Sequence, residues 1–178
     1  AIDDNESALR AQSSHHHLVS RLQAAFDMAE GDGEASRVVS KALDELTIDL
    51  SAIAKGYGVD EIAGLLQAQG LDRFMVEIGG EVRASGLNSH GRAWRIGVET
   101  PDRDARKLFR VIPLMDQGMA TSGDYRNFFV HEGVHYSHTL NPVTGWPVSH
   151  NMASVTVVHP SSAYADAMAT AFSVLGPD

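Results

Sequence analysis

The 178-residue sequence predicts an α+β domain, hairpin-rich, with mainly antiparallel sheets and packed helices. Three observations point there. Short runs of alternating apolar and polar residues recur from Phe74 to Val158, and glycine-containing polar clusters separate several of them at hairpin spacing. Longer stretches with the 3.6-residue apolar period of a helix are few and lie mainly towards the two ends. A composition 43% hydrophobic and 21% charged is an ordinary globular mix, so one domain over 1–178 is expected.

Residues 8 to 29 carry Leu9, Leu18, Leu22, Ala25 and Phe26 on roughly one stripe of a helix, and EGDGEAS (30–36) ends it in a surface loop. His15, His16 and His17 fall inside that stretch, but neighbours on a helix point in different directions, so they read as an exposed polar turn rather than one metal site. After Leu46 a short apolar entry leads to Val59, Ile62, Ala63 and Leu66 at helical spacing, which predicts a helix from Ala54 to Gln69 closing at Gly70. Phe74, Val76 and Ile78 alternate up to Gly79-Gly80, and EVRASG returns as the second strand of a hairpin. Trp94, Ile96 and Val98 continue the alternation, residues 108 to 114 make a further strand interrupted late by Pro113, and MATSGDY reads as a turn at Gly123. Strands at 127–130 and 134–139 join through His131-Glu132-Gly133, NPVTGWP (141–147) is an ordered loop, and a last strand covers 153–158. The final helix starts near Ser161, where Ser161 and Ser162 can cap its first turn, and stops at Gly176-Pro177.

Charge and cysteine usage narrow the function classes. A formal net charge of −9 argues against a nucleic-acid or anionic-membrane surface, so any phosphate must be met locally by a metal, a lysine or backbone amides. The absence of cysteine excludes disulfides, thiolate catalysis and Cys-zinc sites, and leaves the compartment open. No segment approaches 18 uninterrupted apolar residues, so no spanning helix is expected in this chain. A start at Ala1 without an initiator Met is that expected of a processed or trimmed product.

Polar residues gather where the elements end. In ADAMATA (165–171), Asp166 and Thr170 are four residues apart, which puts both on one helix face one turn apart. A hard cation such as Mg²⁺ takes one or two carboxylates with other oxygens and substrate phosphates, and this pair can supply part of that set. Equally, Asp166 can favour the helix dipole while Thr170 bonds a backbone carbonyl, in which case a metal would be sought among Asp49, Asp60, Glu81 and Asp124. In DLSAIAKGYGVD (49–60), Gly56 and Gly58 each cost about 1 kcal/mol relative to Ala inside a helix. That penalty is tolerable where backbone passes close to a ligand, with Lys55 as a phosphate partner or simply a solvated lysine. Gly79-Gly80 reads most simply as a hairpin turn, and Asp124 as an Asx-turn former.

Five blocks in order over residues 49 to 171 resemble the bacterial FAD:protein FMN transferases, the ApbE family, which use Mg²⁺ to attach FMN to a Thr or Ser hydroxyl of a target flavoprotein. DLSAIAKGYGVD is similar to the family's DLGxIAKGYxxD, IGGE to its glycine-rich strand end, and ATSGDY to its ATSG-D/N-Y turn. HTLNPVTGWPV resembles its H-x-x-DP-x-TG-x-P loop, and ADAMATA its AD-x-x-ATA helix. The resemblance implies that Asp166 and Thr170 bind Mg²⁺ together with backbone carbonyls including that of Ala52. It implies also that Asp49 and Lys55 contact FAD, that Thr139 borders the flavin, and that His138 is catalytic in the transfer step. Ala25-Phe26-Asp27 resembles an AFD element that touches FAD. Three departures stand out: the segment after AFD is short, the family's upstream Met-Gly-Thr block is absent, and Asn141 replaces the usual Asp before Pro142. The domain is therefore expected to lack the family's N-terminal part.

The chemistry implied is transfer of FMN from FAD to the acceptor hydroxyl with release of AMP, which needs a cation and fixed donors at the phosphates and a base for the hydroxyl proton. Histidine exchanges a proton near neutrality, which suits His138 to that task. An FAD pyrophosphatase giving FMN and AMP and a non-catalytic flavin-binding protein are the competing expectations. By the same resemblance the protein is expected on the periplasmic side, exported or membrane-anchored, with FAD and a target flavoprotein as partners and no nucleic acid.

Overall fold

The computed structural model describes residues 47, 49–102, 107–123, 128–131 and 133–177. The chain divides into two units, Ala1–Ile48 and Asp49–Asp178, and every described element belongs to the second. The helix expected at 8–29, with Ala25, Phe26, Asp27 and the three histidines, lies outside the described residues, as does Asp124. So does most of the single domain expected over 1–178 that precedes Asp49.

Strands β1 (Phe74–Ile78) and β2 (Glu81–Ser85) form the expected hairpin, with Ile78 opposite Glu81 around Gly79-Gly80. Both glycines have positive φ, 58° and 104°, the backbone that a two-residue hairpin turn of this kind demands. Strands β3 (Trp94–Glu99) and β4 (Leu108–Leu114) pair only with each other, and β4 runs straight through Pro113 opposite Arg95. A two-stranded ribbon consists of edges, where the missing proline N–H is tolerated. The next strand, β5 (Gln117–Gly123), joins β2 on one side and β8 (Ser154–His159) on the other. The result is a four-stranded antiparallel sheet in the order β1-β2-β5-β8.

Alternation along these strands sorts the two faces. Val82, Ala84 and Met119 point to one side, where Leu114 of β4 joins them and Trp94, Ile96, Val98 and Ile112 pack over the top. Glu81, Arg83, Gly118 and Ala120 point to the other, which is covered by helices α1 (Ala54–Ala68) and α2 (Ser162–Leu175). Helix α2 lies on β5 and β8, with Ala165 and Ala169 against Ala120 and Val157. Helix α1 packs on α2 and on β1 and β2. Strand β2 is therefore sandwiched between layers and buried nearly throughout.

Placing MATSGDY in a turn is corrected by β5. Its small and hydroxyl-bearing residues imitate turn composition, but they are small because a helix sits on them. A Cβ on Gly118 would come within 2.8 Å of Ser162 Cα. Thr121 pairs with Thr156 across the ladder, and their hydroxyls share a 2.8 Å hydrogen bond.

The expected strands near 127–139 appear as β6 (Phe128–His131) and β7 (Val134–Ser137), a hairpin paired within itself. In the loop that follows, Asn141 Oδ1 accepts the amides of Val143 and Thr144 at 2.8 and 3.3 Å, and Leu140 bridges to Pro147. Asn does here what Asp would do, since an Asx turn needs only the acceptor oxygen. Helix α2 starts as expected, with Ser161 Oγ accepting the Tyr164 amide at 3.2 Å, and ends at Gly176.

Candidate functional site

Two helix N-termini meet here, and each is capped by an acid from the other helix. Helix α1 begins after Ile53, a residue with no side-chain acceptor to offer its first turn. Its Gly56 N–H instead donates to Asp166 Oδ2 of α2 at 3.0 Å. In return, Asp60 of α1 accepts the Ser162 and Ala163 amides at 2.9 and 3.0 Å and the Ser161 hydroxyl at 2.8 Å, covering the start of α2. Burial alone would raise the Asp60 carboxyl, yet the Ala163 and Ser162 amides and the Ser161 hydroxyl together hold it below its ordinary value.

Gly56 makes the exchange possible. A Cβ there would fall inside the Ser162 carbonyl and 2.8 Å from Asp166 Cβ, so the close approach is helix on helix. This corrects the expectation that Gly56 and Gly58 leave room for a ligand. Gly58 is not required at all, because its added Cβ would meet only Ile78 Cδ1 at an ordinary 3.5 Å.

Asp166 is 5% exposed and, among the described residues, hydrogen-bonds through one oxygen. Burial pushes its carboxyl above the usual range, against the pull of the Gly56 amide and the Lys55 charge. Beside it Lys55, half-exposed, reaches Glu81 Oε2 at 2.7 Å. Glu81 is 2% exposed at the start of β2, and the Lys55 ammonium forms an ion pair with its Oε2. Burial raises the Glu81 carboxyl as well; Lys55 pulls it back and the neighbouring Asp166 charge pushes it up again. Two buried acids thus share one lysine and one helix start, an arrangement short of positive charge.

The other expected residues lie on the approach to this point or apart from it. Asp49 is exposed before α1 and accepts the Ser51 amide at 2.7 Å and its hydroxyl; the hydroxyl first and the amide second lower its carboxyl. Half-buried Ala52 lies in the turn that Leu50 O closes on the Ile53 and Ala54 amides. Thr170 is half-buried one turn after Asp166. His138 is exposed after β7, and Thr139 is held by its amide, which donates to Ser137 Oγ, and its carbonyl, which accepts from Val148 N. Asp60, an alternative metal candidate, is committed to capping. Glu81 was weighed from the sequence only as an alternative metal candidate, and the signal for its burial was its place after two glycines at a strand start.

The donor set suits a divalent cation. A buried carboxylate with one oxygen uncommitted, in a cluster short of positive charge, is stabilised by such an ion. No group of three or more His, Cys, Asp or Glu side chains is gathered among the described residues, and the expected set of one carboxylate, one hydroxyl and a carbonyl calls for none.

An antiparallel sheet under two helices, with two buried acids and a lysine near the start of α1, defines an α+β domain. A family model described as the ApbE family matches residues 4–178. A curated FAD:protein FMN transferase from Vibrio cholerae is 49% identical over 140 residues, 79% of this chain and 42% of its own. One from Haemophilus influenzae is 46% identical over 141 residues, 79% of this chain and 41% of its own. Among solved structures, the flavin transferase ApbE from Vibrio cholerae matches with a TM-score of 0.70 at 45% identity, covering 82% of this chain and 46% of that one. The ApbE protein from Thermotoga maritima matches at 0.69 with 37% identity, over 78% and 44%. The chain belongs to the ApbE family, and it spans well under half the length of the curated relatives it matches.

Proposed function

We propose that this chain carries the metal- and diphosphate-handling part of an Mg²⁺-dependent FAD:protein FMN transferase. The observation that carries the reading is the convergence of Asp166, Lys55 and Glu81 on the first turn of α1. Asp166, Thr170 and the Ala52 carbonyl would hold Mg²⁺, whose charge, when bound, offsets that of the FAD diphosphate. Lys55 contributes a donor to the same phosphates, and Asp49 fixes the entry to α1 through Ser51. Thr139 borders the flavin, and its double backbone anchorage suits a residue that must hold a wall in place.

In the transfer itself an acceptor Thr or Ser oxygen forms a bond to the FMN phosphorus while the bond from that phosphorus to the AMP oxygen breaks. His138 takes the acceptor proton, and AMP leaves with the displaced oxygen. Exposure of His138 lets an incoming protein hydroxyl reach it and lets the proton pass on to water. The same proposal has the protein work on the periplasmic side. No described helix is long and apolar enough to cross a membrane.

The test incubates the chain with FAD and Mg²⁺, with and without a target flavoprotein, and follows AMP and protein-bound flavin together. Transfer predicts one AMP per flavin attached and little AMP without the target. Rapid AMP release with no labelled target identifies an FAD pyrophosphatase instead, and FAD binding with no AMP under any metal condition identifies a flavin-binding protein.

A further inference from the structure

Glu81 has no part in the transfer just described, yet it is nearly the most deeply buried large side chain among the described residues and carries a charge. Such a carboxylate is tolerated where it is paired and does something for a neighbour. The one cation on it is Lys55, 2.7 Å away. The route between them is shaped too: a Cβ on Gly79 would stand 3.2 Å from Lys55 Cδ and 3.9 Å from Glu81 Oε2. The stem of Lys55 therefore crosses the hairpin turn where glycine leaves it a slot, and ends on the first residue of β2. A lysine left to itself samples many rotamers; this one is tied at both its stem and its tip.

We infer that Glu81 is a positioning residue: it holds the Lys55 ammonium beside Asp166 at the start of α1, and so sets where a phosphate oxygen of FAD is met. The identity of that ligand rests on the transferase reading; the hold on Lys55 does not. Glu81 touches no substrate in this scheme and acts through the lysine alone.

The experiment compares the whole chain with Glu81→Gln, Lys55→Met and the double variant. It reads FAD affinity by flavin fluorescence, and the acylation rate of Lys55 with an N-hydroxysuccinimide ester of acetate by peptide mass. Glu81→Gln should weaken FAD on the order of tenfold in the parent and cost nothing further in the Lys55→Met background, while Lys55 is acylated several-fold faster. Glu81→Asp keeps the charge but shortens its reach and should show a smaller loss with the same dependence on Lys55, which covers the case of a Gln variant that folds poorly. Equal losses in both backgrounds, or unchanged acylation of Lys55, overturn the inference. A parent chain that binds no FAD sinks the transferase reading, and the acylation rates then decide the hold on Lys55 alone.

Discussion

Asp166 caps α1, and the Mg²⁺ role proposed for the same carboxylate comes apart from that cap on substitution. Asp166→Asn keeps an acceptor for the Gly56 amide, so stability should stay within about 1 kcal/mol of the parent. Loss of the charge should weaken Mg²⁺ by roughly a hundredfold or more, read by calorimetry. Thr170→Val should act in the same direction but more weakly, since water replaces a neutral hydroxyl more readily than a carboxylate; the reverse order contradicts the assignment. For His138, replacement by Asn should slow transfer by roughly 100- to 10,000-fold while sparing FAD affinity, and full transfer by that variant removes His138 from the mechanism. The spacing in ADAMATA put Asp166 and Thr170 on one helix face, since i and i+4 share a face whatever surrounds them, while their metal role came from the family resemblance. Glu81 was not legible in the same way. Its neighbours in sequence are glycines and valine, and its burial beside Lys55 exists only once α1 lies against the β1–β2 hairpin.

At the level of elements, the reciprocal capping of α1 and α2 makes the helix pair a unit. Asp60→Ala strips three donors at the start of α2 of their acceptor and should cost about 1–2 kcal/mol near neutrality. The Asp60 carboxyl is lowered in the folded chain, so its contribution is complete above the ordinary carboxylate value and is lost as pH falls below it. The gap in urea midpoint between parent and variant should therefore narrow below roughly pH 4, and a gap that widens there contradicts the cap. The two α1 glycines predict opposite signs. Gly56→Ala forces the helices apart and should destabilise by about 1–3 kcal/mol. Gly58→Ala gains helix propensity with only an ordinary contact and should stabilise by up to about 1 kcal/mol, both read by thermal or urea unfolding. Periodicity located α1, α2 and most strands to within a residue or two. It failed at β5, because a strand under a closely packed helix must be built of the small residues that elsewhere mark a turn.

Across the whole molecule, a net charge of −9 offers no basic excess, so the phosphate recognition proposed above falls to one small region. The fold supplies that region by bringing residues from both ends of the Asp49–Asp178 unit to one side of the sheet, Lys55 and Gly56 from its first helix and Asp166 from its last. Block order was readable in the sequence, but the crossing that makes Asp166 serve α1 was not, since no local pattern reports which helix a carboxylate will cap. The measurement that tests the account most directly is the intact mass of a target flavoprotein after incubation with this chain, FAD and Mg²⁺, run beside Asp166→Asn. The account predicts that the target gains the mass of one FMN with the parent, that the gain disappears on chelation of Mg²⁺, and that it is nearly absent with the variant. An equal gain with Asp166→Asn, or a target left unchanged while AMP accumulates, would contradict it.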